Sequence, residues 1–151
     1  MRNNYGQVEP NHLSAQRNGQ IYAQLPAAID LENGMFAKYD YENSKVNLTG
    51  EGEWMLVFNE VKTYDKRESY ADFKLAAGKT PRLFKTSVGD IYTTNKFAAS
   101  VNVEEVAVGD KFSIGADGLL AKNTDGDMEW KAVKAYTMPD GTPGVKLQRV
   151  K

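Results

Sequence analysis

From Pro81 to the C-terminus the chain is cut into short apolar or alternating runs, RLFKTS, DIYTTNKF, KFSIG, GLLAK, EWKAVKAYTM and GVKLQRV. Most of the boundaries are tight-turn chemistry: Gly89-Asp90, Gly109-Asp110, Asp117-Gly118, Asp125-Gly126 and PDGTPG from Pro139 to Gly144. Glycine enters backbone conformations that cost other residues more, and aspartate bonds its own neighbouring backbone, so such steps end one strand and admit the next. Runs this short, at this spacing, predict a mainly β fold, a small β-barrel or sandwich. SVGDIY and AVGDKF echo each other 20 residues apart. Two copies of so short a pattern are too few for a solenoid or propeller, and they predict repeated strand-entry chemistry instead.

Upstream the periodicity also favours strands. In NGMFAKYDYENSKVNL, Met35, Ala37, Tyr39 and Tyr41 alternate with Lys38, Asp40 and Glu42, as in a half-buried strand, and ENSK reads as a turn. GEGEWMLVFNEVK places Trp54, Leu56 and Phe58 on one face and Met55, Val57 and Val61 on the other, which predicts a strand covered on both sides at the centre of a sheet. Between Thr63 and Lys79 the pattern admits either one short helix or a polar excursion.

The first 28 residues have a different texture. They are rich in Asn and Gln, carry Pro10 and Pro26, and their large apolar residues have no sustained period. They predict an extended N-terminal arm (residues 1–28) in front of a β-rich domain (residues 29–151), mobile when free and ordered on binding. Tyr5, Leu13, Ile21, Tyr22 and Leu25 are its candidate anchors for a partner, with Ile21, Tyr22 and Leu25 the densest group.

Composition removes several functions. The chain has no cysteine, which excludes thiol nucleophiles, disulfides and thiolate metal sites. Nineteen basic against 20 acidic residues give a net charge of -1, so neither nucleic acid nor an anionic membrane is an expected partner. No signal-peptide core and no run of about 18 apolar residues occurs, which predicts a soluble chain made in the cytoplasm.

Candidate chemistry is sparse. His12 is the only histidine and lies in the polar arm without an evident partner. NTDGDMEW (123–130) begins like a calcium loop, but Met128 stands where the loop needs glycine and Lys134 where it needs glutamate. Glu51 and Glu53 share one side of an extended segment, which suits solvated strand charges better than a glycosidase pair flanking a cleft. Asn47-Leu48-Thr49 fits a glycosylation sequon without a secretory signal. The expectation is a protein that is not an enzyme and uses no metal or cofactor, since no nucleophile–base or metal constellation can be assembled.

GDKFSIGADGLLAK followed by WKAVKAYTMPDGTPGVKLQRV, covering roughly residues 100–151, resembles the auxiliary head proteins of tailed bacteriophages, known as decoration or cement proteins. The resemblance rests on a Gly-Asp-hydrophobic strand, an Asp-Gly turn and a final hairpin that ends close to the C-terminus. It implies a non-enzymatic virion protein, made in the host cytoplasm, that binds the major capsid protein on the outer capsid surface and stabilises the shell. Self-association through the same surfaces would be compatible with that role. The competing expectation is another phage structural or adaptor piece, such as a head-fibre base or tail component, or a carbohydrate-binding β-module. In that last case Trp54, Trp130 and the tyrosines would form a stacking platform.

Overall fold

The computed structural model describes residues 5–59, 74–122, 126–139 and 141–151. The described strands are β1 (Val8–His12), β2 (Ile21–Tyr22), β3 (Phe36–Asp40), β4 (Lys45–Asn47), β5 (Glu51–Val57), β6 (Leu83–Phe84), β7 (Ile91–Thr94), β8 (Lys111–Ile114), β9 (Leu120–Ala121), β10 (Glu129–Thr137) and β11 (Pro143–Arg149). One helical turn, α1 (Ala15–Asn18), and a 3-10 turn at Val103–Glu105 complete the described elements. No helix among the described residues is long and apolar enough to cross a membrane.

The strands form two antiparallel sheets, in the orders β1-β7-β11-β10-β8-β9 and β2-β6-β5-β3-β4. Each sheet keeps two edge strands, so the architecture is sandwich-like and the barrel alternative does not hold. β5 lies in the middle of its sheet, and its second half, from Met55 to Val57, is covered on both faces while Glu51 to Glu53 are exposed. Leu56 faces the core between the sheets, while Met55 and Val57 face a second core on the far side. At the centre of the first core, Trp130 meets Tyr92 edge-on at 4.8 Å and Phe36 at 6.0 Å. The second core gathers Leu31, Met35, Ala37, Tyr39, Val46 and Leu83 under the chain from Ala27, with Leu75 bridged to Leu31. The remainder of the predicted helix or excursion, up to residue 73, lies outside the described residues.

The two echoing motifs form the same turn. The N–H of Asp90 donates to the Ser87 carbonyl and the N–H of Asp110 to that of Ala107, both at 3.0 Å. Each aspartate carboxylate accepts from the N–H three residues earlier, at 2.9 Å from Ser87 and 3.0 Å from Ala107. Gly89 and Gly109, at φ +101° and +98°, each donate 2.8 Å bonds to the adjacent strand, to the carbonyls of Arg149 and Ala132. The left-handed backbone that the second central position of such a turn requires explains the glycine, and the side-chain bond explains the aspartate. Because β7 and β8 run in opposite directions, the two turns feed the sheet in opposite senses, Asp90 pairing with Arg149 opposite Trp130 and Asp110 pairing with Ala132. The Asp117-Gly118 turn serves another purpose: Gly118 (φ +76°) accepts a 2.8 Å bond from the N–H of Phe36, and a Cβ there would strike the Phe36 carbonyl.

Within the predicted arm, residues 5–28 depart from expectation. They thread through both sheets instead of standing off as an arm. β1 is an edge strand paired along β7, with Pro10 opposite Tyr92, a place where a missing N–H is tolerated. β2 pairs with β6, and Leu13 and Ala15 are buried in the inter-sheet core. Polar side chains complete the attachment: Asn95 Oδ1 accepts from the N–H of Gln7, Thr94 Oγ1 donates to the Gln7 carbonyl, and Glu32 accepts from the N–H of Gly6. Main-chain pairing with a few buried residues holds this segment, and such pairing leaves no hydrophobic period to read.

Candidate binding surfaces

The anchor residues expected in the arm are placed mostly inward. Leu13 is buried, Ile21 packs on the inter-sheet core, and Leu25 packs on the second core. Tyr5 lies under the Lys74 ammonium, 5.7 Å from its ring centroid. Tyr22 lines a surface groove. His12 is exposed at the end of β1, opposite Ile91. The NTDGDMEW stretch lies partly outside the described residues; within it, Met128 is a core residue and Gly126 donates to Ser113. Trp130 is fully buried and Trp54 is half-buried with Lys38 over its ring at 4.7 Å, so neither tryptophan forms a stacking platform.

Three of the tyrosines cluster at the surface. On the face of the second sheet that points away from the first, Tyr22, Tyr39, Tyr41, Glu51, Glu53 and Lys85 surround an open groove of about 290 Å³, floored by Met55 and Gly52. Tyr22 and Tyr39 are tilted at 5.5 Å, and Tyr41 stands edge-on to Tyr39 at 5.6 Å. The expected inward position of Tyr41 does not hold: it follows the last residue of β3, and 57 % of it is exposed. Two members of the groove are fixed from behind. The Tyr39 hydroxyl accepts a 3.1 Å bond from the N–H of Gln24, and the guanidinium of Arg149 forks onto Glu53 at 3.3 and 3.4 Å while also bonding Thr86 and the Lys151 carbonyl. Glu51 and Glu53 do share one side, as their spacing implies, and a bulge opposite Ala37–Tyr39 lifts this part of β5 from the ladder.

The opposite side of the molecule carries a second surface. Trp130, Ala132, Val145 and Leu147 point into the core, so the residues alternating with them face out. Register then sets Lys131 directly against Lys111 on β8, and Lys134 directly against Lys146 on β11. Lys111, Lys131 and Lys134 are exposed and Lys146 is half-buried. None of the four makes an ion pair among the described residues. Glu129 at the start of β10 and Glu9 on β1 stand towards the ends of this face. Glu9 accepts a 3.3 Å bond from the Tyr136 hydroxyl, which raises the Tyr136 pKa above its ordinary value. Like charges directly opposite across strands are destabilising, by about 0.2–1 kcal/mol for a pair.

Sequence reasoning missed this lysine face. Strict alternation sends Lys131 and Lys134 to opposite faces, and only the bulge between Ala132 and Lys134 brings them to the same one. No protein-family model, curated protein or solved structure matches the chain.

Proposed function

We propose that this chain is a non-enzymatic structural protein that attaches to the outer surface of a tailed-phage capsid, on its major capsid protein, and stabilises the shell. The lysine face is the attaching surface. The observation that carries this reading is the pair of like-charge cross-strand contacts, Lys131 against Lys111 and Lys134 against Lys146, on a chain whose net charge is only -1. A fold gains nothing from such an arrangement on its own, whereas a carboxylate-bearing partner surface removes the repulsion and adds charge-assisted hydrogen bonds. β8, β10 and β11 all belong to the stretch that resembles the decoration proteins. On a symmetric shell the same modest contact is repeated many times, so each attachment can be weak and still reinforce the whole. If copies also associate with one another, each assembly engages several shell subunits and avidity rises without new chemistry.

The test is reconstitution. Tailed-phage shells that lack a decoration protein are mixed with purified protein and sedimented. Saturable binding at a fixed ratio, weakened by added salt, together with a higher shell disruption temperature, is the expected outcome. Absence of binding to such shells would overturn the reading.

A further inference from the structure

We propose that the tyrosine groove is a saccharide-binding site, taking a neutral pyranose or a short neutral oligosaccharide. The inference is independent of shell attachment, because the groove and the lysine face lie on opposite sides of the sandwich. The groove joins two features that a sugar ring requires. Tyr41 projects an aromatic face into solvent, braced edge-on by Tyr39, and the C–H face of a pyranose stacks on such a surface. Around it stand two carboxylates and one ammonium, Glu51, Glu53 and Lys85. Sugar hydroxyls both donate and accept, so they satisfy carboxylate and ammonium together.

The mixture of signs selects for neutrality. Arg149 neutralises Glu53, so Glu51 and Lys85 leave the groove close to balance and neither an anion nor a cation is favoured. The groove's volume of about 290 Å³ is at the small end for ligand clefts, which suits one or two rings in place of an extended peptide. Part of the site is also held before any ligand arrives. The Arg149 fork fixes the Glu53 carboxylate, and the N–H of Gln24 fixes the Tyr39 hydroxyl, so less order has to be imposed on binding. A protein attached through its lysine face would present this groove outward.

The experiment is retention of the intact chain on a panel of immobilised neutral oligosaccharides, followed by its retardation in gels containing a soluble neutral polysaccharide. Retention on at least one member is expected, competed by the free sugar. Tyr41→Ala should weaken it by about tenfold or more, and Tyr41→Trp should preserve it. Because Tyr41 is mostly exposed, its removal should leave the melting temperature nearly unchanged, which separates lost binding from lost folding. Lys131→Glu should leave retention as it was. Failure to bind any member, retention indifferent to Tyr41→Ala, or binding of a proline-rich peptide in place of a sugar would each overturn the proposal. None of those results bears on shell attachment.

Discussion

Tyr92 is fully buried between the sheets, and its hydroxyl has no hydrogen-bond partner among the described residues; burial drives its pKa well above the ordinary value. An unpartnered buried hydroxyl costs the fold about 1–3 kcal/mol. Tyr92→Phe keeps the edge-on contact with Trp130 and removes that cost, so it should hold or raise the denaturation midpoint, an uncommon result for a central core position. The twin turns give a graded comparison. Asp90 is 3 % exposed and its carboxylate accepts from the N–H of Ser87 and from both the N–H and the hydroxyl of Ser14. Asp90→Ala should therefore lose about 2–4 kcal/mol, measured by chemical denaturation, because it strands several donors in a buried place. Asp110→Ala breaks the same turn bond in a more open setting and should cost visibly less.

Two carboxylates give the fold a pH dependence. The N–H of Ala107 holds the Asp110 pKa below its ordinary value; burial opposes it, and Lys122 adds to the lowering. At Asp30 the N–H of Ala77 acts first, followed by Lys74. Both folded-state pKa values lie below the unfolded ones, so the stabilisation is complete above the ordinary carboxylate range. It is lost as pH falls through the folded values. The melting temperature should decline on acidification below about pH 4, and less steeply in the Asp30→Asn/Asp110→Asn double variant than in the parent. Equal slopes would contradict these assignments.

At the scale of elements, β1 is an integral edge strand. Deleting the chain through His12 should lower the melting temperature markedly, because it uncovers β7 and the inter-sheet core around Tyr92. Limited proteolysis should leave the β1 segment attached. A free arm would give the reverse of both results. β1 shows where the sequence was hard to read: VEPNH contains no alternation, and its order comes from partners more than 80 residues away, such as Thr94 and Asn95. The opposite holds for β5, whose two apolar faces predict its central place, and for the twin turns, whose glycine and aspartate carry their own geometry. The candidate surfaces were less legible. Aromatic content suggested a stacking platform, but the choice of tyrosines over tryptophans depends on burial. The lysine face depends on a single bulged residue, Val133, which has no signature in the local composition.

For the molecule as a whole, the two sheets give it two unlike sides, with four lysines on one and a tyrosine groove on the other. On the proposed reading, the lysine side carries attachment and does so at a cost to the fold's own stability. The most direct measurement pairs stability and cosedimentation for Lys131→Glu and Lys134→Glu, singly and together. Each substitution turns a repelling cross-strand pair into an attracting one, so the account predicts unchanged or higher stability, by about 0.2–1 kcal/mol per site, together with loss of shell binding. Variants that are more stable and still bind shells with the parent's ratio and salt dependence would contradict it.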